Sequence, residues 1–128
     1  PLQITSAFRR LQSVINPGIK IRAHFHDTFG LGLANAMAAL EQNVKYFDAS
    51  LCGLGGCPFA PNATGNITLE DLVFLMQKNG VKTGIDLDKL LTGQQLLRSI
   101  LPDQQLHGVI NRAGKYPADF SPENIFET

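Results

Sequence analysis

Two histidines lie at the end of a predicted strand, in Ala23-His24-Phe25-His26-Asp27. Because side chains alternate between the faces of a strand, both imidazoles should point the same way, about 6 to 7 Å apart. Such a pair can converge on one ion, and the carboxyl ends of parallel strands carry the active sites of α/β barrels. The spacing favours a metal site, with two ordinary hydrogen-bonded histidines as the alternative. Asp27 is expected either to orient an imidazole or to serve as a turn or cap residue.

A glycine-rich segment follows the next predicted strand and reads Cys52-Gly53-Leu54-Gly55-Gly56-Cys57-Pro58. Glycines allow a backbone to approach a ligand closely or to move as a lid. Cys57 is a candidate nucleophile or general acid if its neighbours favour proton transfer, and the alternative is a small apolar residue in a turn. Cys52 directly follows the strand and is expected to be packed rather than reactive.

Asn66 lies next to Gly65, just before a predicted helix. An amide oxygen is a hard, neutral ligand that suits Mg²⁺ or Mn²⁺ in company with imidazoles. Asparagine beside glycine is also common in turns, so both interpretations stay open.

Apolar periodicity predicts the elements that must position these residues. In chain order they are a helix over residues 4–15, a strand over 19–24, a helix over 33–44, a strand over 45–51, a helix from a Thr68 cap to Asn79-Gly80, and a helix over 87–97. This alternation predicts a parallel α/β architecture. The tail after Pro102 carries no assignable pattern.

The composition limits the classes of partner. With 11 basic and 11 acidic residues among 128, the chain has no charge surplus that would attract nucleic acid or an anionic membrane. No apolar run approaches the roughly 20 residues that span a bilayer, so we expect a soluble protein. Two closely spaced cysteines suit a reducing compartment better than a structural disulfide.

Several motifs, taken together and in order, resemble the 3-hydroxy-3-methylglutaryl-CoA (HMG-CoA) lyase family over about residues 1–100. They are His-Phe-His-Asp-Thr, Gly-Leu-Ala-Asn-Ala, Phe-Asp-Ala-Ser-Leu, Gly-Leu-Gly-Gly-Cys-Pro-Phe-Ala and Gly-Asn-Ile-Thr-Leu-Glu-Asp-Leu. The Gly-Leu-Gly-Gly-Cys-Pro segment separates these lyases from related Claisen-type synthases, such as isopropylmalate and citramalate synthases.

The resemblance implies a role for each candidate residue. His24, His26 and Asn66 match ligands of a divalent cation, Mg²⁺ or Mn²⁺, with Asp27 behind them. The catalytic residues it implies are Cys57 and His24. The loop that closes over the substrate is formed by Gly53, Leu54, Gly55 and Gly56. The family's remaining ligand, an aspartate beside a catalytic arginine, has no counterpart in this chain.

The resemblance also implies a fold: the C-terminal part of a (β/α)₈ TIM barrel, about strands 7 and 8 with flanking helices. A full barrel needs about 250 residues, so this chain offers about half. We expect residues 1–100 to form the partial barrel and residues 101–128 a C-terminal extension with helices. Lys20 and Arg22 should point inward, and we expect a carboxylate from the missing strands to pair with Arg22.

The implied activity is cleavage of HMG-CoA to acetyl-CoA and acetoacetate, as in leucine degradation and ketone body metabolism. The alternatives are a related acyl-CoA lyase or synthase, and a non-catalytic truncated barrel. The chain alone should be inactive, and we expect it to form homo-oligomers or to associate with the missing N-terminal half. The expected location is the cytoplasm of a bacterium, or the mitochondrial matrix of a eukaryote.

Overall fold

The computed structural model describes residues 1–56 and 65–114. Its elements are α1 (Leu2–Val14), β1 (Arg22–His24), α2 (Gly32–Glu41), β2 (Tyr46–Asp48), a 3₁₀ turn (Leu51–Gly53), α3 (Leu69–Lys78), α4 (Leu87–Ile100) and α5 (Ile110–Ala113). β1 and β2 pair in parallel, with α2 as the crossover between them. The predicted α/β class and the order of its main elements are confirmed.

The two strands present different residues to their two faces. The middle residue of β1, Ala23, is 2% exposed and packs with Ala39 and Val44, whereas Arg22 and His24 are exposed on the other face. The helices therefore cover one face of the sheet, and the face that carries the first histidine is open in this chain.

The core lies between the sheet and the helices. Small residues of α2, such as Ala36 and Ala39, are fully buried and allow the helix to approach closely. A second group joins α3 to the segment before it, with Ile67, Leu72 and Met76 packed against Ala36. None of the helices in the described ranges is long and apolar enough to cross a bilayer.

The lengths of the strands and the caps of the helices differ in part from the sequence prediction. Both strands are shorter than predicted, with only three residues each. Thr68 occupies the N-cap position of α3, but its buried hydroxyl has no hydrogen-bond partner among the described residues. Asp86 caps α4 by accepting hydrogen bonds from the backbone N–H groups of Asp88 and Lys89. These hydrogen bonds lower the pKa of Asp86, and the one from Lys89 has the largest effect. The predicted end of α3 at Asn79 is confirmed.

Arg22 has a carboxylate partner within this chain that was not expected, and pairing with a carboxylate from further strands stays a prediction. Its guanidinium lies 3.3 Å from Asp48 Oδ1, and both side chains are about half exposed, at 64% and 44%. The cause is the register of the parallel pair, which sets His24 opposite Asp48 and brings that carboxylate within reach of β1. Lys20 lies over the ring of Tyr46, at 5.4 Å from its centroid.

Replacing Gly32 by alanine is expected to lower the free energy of unfolding by about 1–3 kcal/mol through overpacking. The added Cβ would overlap Ile67 Cγ2 and lie 2.9 Å from Asp27 Oδ1. Gly93→Ala in α4 is the control: its Cβ would meet only Leu51 Cδ2 at 3.9 Å, so the higher helix propensity of alanine should raise stability by up to about 1 kcal/mol. Urea unfolding followed by circular dichroism measures both. Equal stability of the Gly32 variant and wild type would contradict this packing.

Candidate functional site

The structure brings the two predicted imidazoles and the predicted amide ligand together. The rings of His24 and His26 have centroids 5.2 Å apart. His26 forms an antiparallel backbone bridge with Asn66, and flanking hydrogen bonds run from Ile67 N–H to the Phe25 carbonyl at 3.1 Å and from Asp27 N–H to the Gly65 carbonyl at 2.8 Å. Backbone pairing thus holds a residue from beyond the glycine-rich segment against the end of β1.

Two atoms that could coordinate a cation are buried here without a hydrogen-bond partner. Nδ1 of His26 and Oδ1 of Asn66 make no hydrogen bond to any described residue, although the Asn66 Nδ2 donates to the Leu54 carbonyl at 2.9 Å. Unpaired buried polar atoms are costly, and an imidazole nitrogen and an amide oxygen are both cation ligands. The residues present therefore fit a divalent cation.

The candidate ligands among the described residues would not fill the coordination sphere of a cation. The described residues hold no group of three or more His, Cys, Asp or Glu side chains placed to bind a metal ion. A cation held by two imidazoles and one amide would have coordination positions left for further ligands.

Asp27 serves as a cap. Its Oδ1 accepts from the Gly32 N–H at 2.7 Å, at the start of α2. This agrees with the cap alternative, and the role of orienting an imidazole stays a prediction.

The start of the glycine-rich segment lies directly against the residues before α3. A Cβ on Gly65 would overlap the Gly55 carbonyl, and a Cβ on Gly55 would lie 2.7 Å from Asn66 Nδ2. Both glycines also have positive φ, 72° and 113°. The two backbone segments therefore approach each other closely, and approach of the glycine-rich segment to a ligand stays a prediction. Cys57 falls in residues 57–64, outside the described ranges, and its catalytic role stays a prediction.

Cys52 is packed, as the sequence predicted. It is fully buried, its φ is +53°, and its N–H donates to both carboxylate oxygens of Glu70, at 3.1 and 3.0 Å. Its Sγ lies 3.2 Å from Glu70 Oε1. Burial first, and then the hydrogen bond to Glu70, raise the pKa of Cys52 to about 12. This thiol is held protonated.

Sequence reasoning missed the role of Glu70. An acidic residue in the first turn of a helix is commonly a surface group that complements the helix dipole. Glu70 is instead 0% exposed. The sequence gives little sign of this burial, because the groups that donate hydrogen bonds to Glu70 come from distant segments of the chain.

A cavity of about 370 Å³ adjoins the two ligand-bearing segments. It is lined on one side by Asp27 and Asn66, and on the other by residues 106–109 of the unassigned tail and by Arg112. Asp71 fixes this tail by accepting from the N–H groups of Val109 and Ile110, both at 2.8 Å.

A family model described as HMGL-like matches residues 1–97. This chain belongs to the HMGL-like family. The match spans both histidines, the glycine-rich segment and Asn66. The family predicted from the motifs is confirmed.

The HMGL-like chain is similar to proteins with known activities. It is 42% identical to the (R)-citramalyl-CoA lyase of Chloroflexus aurantiacus over 91% of this chain and 37% of that protein. It is 50% identical to the hydroxymethylglutaryl-CoA lyase of Pseudomonas mevalonii over 56% of this chain and 24% of that protein. The chain thus spans well under half the length of these relatives.

The fold is similar to part of a solved enzyme. An HMG-CoA lyase from Acinetobacter baumannii, solved in complex with coenzyme A and 3-methylmalate, matches with a TM-score of 0.82 and 42% identity. The alignment covers 95% of this chain and 39% of that chain. The α/β unit described above is therefore similar to part of an HMG-CoA lyase structure.

The thiol of Cys52 should be nearly inert in the folded protein. In a Cys57→Ser variant Cys52 is the remaining cysteine, and a pKa raised from 9.0 to about 12 lowers its thiolate population at about pH 8 roughly a thousandfold. Reaction with a disulfide reagent should be at least about a hundredfold slower in the folded than in the denatured protein. Because the unfolded thiol ionises first, its contribution to stability should fall as the pH rises from 9 towards 12. Equal reaction rates in both states would contradict this burial.

Proposed function

We propose that this chain is part of a divalent-metal-dependent lyase that cleaves HMG-CoA to acetyl-CoA and acetoacetate. The observation that carries the proposal is the pair of buried atoms without a hydrogen-bond partner, Nδ1 of His26 and Oδ1 of Asn66, in two residues whose backbones bridge; the ring of His24 lies 5.2 Å from that of His26. The similarity to HMG-CoA lyases supports the substrate class.

In this proposal His24, His26 and Asn66 hold Mg²⁺ or Mn²⁺, which supplies Lewis acidity and a template for substrate oxygens when bound. The substrate's tertiary hydroxyl loses its proton, the adjacent carbon–carbon bond breaks to release acetoacetate, and the acetyl-CoA enolate takes up a proton. We assign the protonation to Cys57 on sequence grounds. His24 either binds the cation or exchanges the hydroxyl proton.

A smaller acyl-CoA is the second candidate substrate. The relative named (R)-citramalyl-CoA lyase aligns with 91% of this chain, whereas the Pseudomonas mevalonii enzyme aligns with 56%. A synthase reaction has less support, because the relatives compared above are lyases.

We propose that activity needs the rest of a barrel. The two strands leave one face of the sheet open at Arg22 and His24, and the chain spans 39% of the Acinetobacter baumannii enzyme. The placement at strands 7 and 8, the C-terminal position in the barrel, and the division into residues 1–100 and 101–128 belong to this proposal. The missing part, or a further copy, would cover the open face and supply the remaining ligand.

Cation binding tests the proposed donor set in the chain itself. His26→Ala and Asn66→Ala should each weaken Mn²⁺ binding about tenfold or more, measured by the electron paramagnetic resonance of free Mn²⁺. His107→Ala is the matched control. The contacts of His107 to Cys52 and Asn111 use its backbone atoms, which alanine keeps, so the substitution should change the affinity less than about twofold. A His24→Ala variant with unchanged affinity would assign that residue to proton exchange. Wild-type affinity in the Asn66 variant would contradict the site.

Lyase activity can be tested in two chimeric barrels, with this chain replacing the matching segment of the Pseudomonas mevalonii or the Chloroflexus aurantiacus enzyme. Both should release acetyl-CoA from HMG-CoA, and Cys57→Ala should lower turnover about a hundredfold or more. Preference for (R)-citramalyl-CoA in both chimeras would favour the second candidate. A folded, Mn²⁺-binding chimera that cleaves neither substrate would contradict the lyase assignment. Comparable turnover by the chain alone would contradict the need for a complete barrel.

A further inference from the structure

Glu70 is a fully buried carboxylate that joins three segments of the chain. It accepts the N–H of Cys52 with both oxygens, the thiol of Cys52 at 3.2 Å, and the side-chain amide of Asn111 at 3.1 Å. A buried carboxylate is tolerated when such donors replace water. Loss of its acceptor capacity would therefore disturb all three segments at once.

The contacts at Cys52 decide the path of the next residues. Its φ of +53° is a conformation that side-chain-bearing residues rarely adopt, and the bidentate contact to Glu70 holds it there. The backbone then turns through Gly53 to Leu54, whose carbonyl accepts from both Ser50 Oγ at 2.7 Å and Asn66 Nδ2 at 2.9 Å.

The Leu54 carbonyl sets the orientation of the Asn66 amide. With Nδ2 bound to that carbonyl, Oδ1 is the atom left without a partner, in a residue whose backbone bridges His26. A displaced Leu54 carbonyl would free the amide to rotate. The backbone contact of Gly55 with Gly65 leaves no flexible side chain to absorb such a shift.

Residues 107–111 add hydrogen bonds to the contact between Glu70 and Cys52. The Cys52 carbonyl accepts the His107 N–H at 2.9 Å, and Asn111 Nδ2 also donates to the His107 carbonyl at 3.1 Å. The segment over residues 107–111 therefore closes over Glu70 and Cys52 and excludes water from their contact.

We propose that Glu70 is a positioning residue for the candidate cation site, which acts through Cys52 and the Leu54 carbonyl to fix the amide of Asn66 with its oxygen free. This inference rests on the proposed function only in taking Asn66 as a ligand. The connection from Glu70 to the amide can be tested without any cation.

The first measurement is hydrogen exchange and amide NMR of the full chain carrying Glu70→Gln. The substituted side chain would turn an amide N–H₂ towards donors, so exchange at the Cys52 and Leu54 amides should rise about tenfold relative to Ala38 in α2. The side-chain amide signal of Asn66 should shift. Glu41→Gln, an exposed substitution of the same type, should leave the exchange rates within about twofold and the signal in place. Unchanged exchange at Cys52 and Leu54 in the Glu70 variant would overturn the proposal.

The second measurement is a double-mutant cycle on Mn²⁺ affinity. Glu70→Gln should weaken binding about fivefold to tenfold in the wild-type background and less than about twofold in an Asn66→Ala background. Val44→Ala, a destabilising change in the core away from the segment, should leave the affinity unchanged below its unfolding transition. Equal losses in both backgrounds would show a merely structural role and overturn the proposal. A wild-type chain that binds no Mn²⁺ would contradict the cation site, and the exchange result would then decide the positioning role.

Discussion

The candidate site depends on the close approach of two backbone segments, residues 53–55 and residues 65–66. A Cβ on Gly65 would overlap the Gly55 carbonyl, so the two segments meet without an intervening side chain. This contact places Asn66 near the end of β1, where its backbone forms a β-bridge with His26. Without it, the imidazoles of His24 and His26 would lack the amide of Asn66 as a third potential ligand. Backbone geometry, more than any single side chain, brings the proposed ligands together.

The two faces of the sheet differ in whether their contacts are complete within the two strands and the helices. Arg22 and Asp48 pair across the two strands while both remain about half exposed. Such a pair contributes little to stability, because water screens it. The buried contacts of Ala23 lie on the opposite face and do not depend on further strands. The helices therefore cover the face that carries Ala23, whereas the histidine-bearing face is open in this chain.

Much of the fold could be predicted because its signals are local. Apolar spacing gave the helices and the parallel α/β order, and strand alternation placed His24 and His26 on one face. The partner of Arg22 could not be predicted, since it depends on the register of β1 against β2. Helices were expected in the C-terminal extension, but the position of α5 could not be assigned, because it has only four residues and the N–H groups at its start are satisfied by Asp71, 38 and 39 residues away. Glu70 was missed for the same reason, because its donors lie 18 and 41 residues away.

The contact between Asp71 and the start of α5 has a chemical consequence for ligands. In barrel enzymes a short helix near the last strands often presents free amides to a phosphate group. Here a carboxylate of the chain already occupies those amides and places its own negative charge at that spot. A phosphoryl group would therefore meet repulsion at the start of α5, where the N–H groups are already taken.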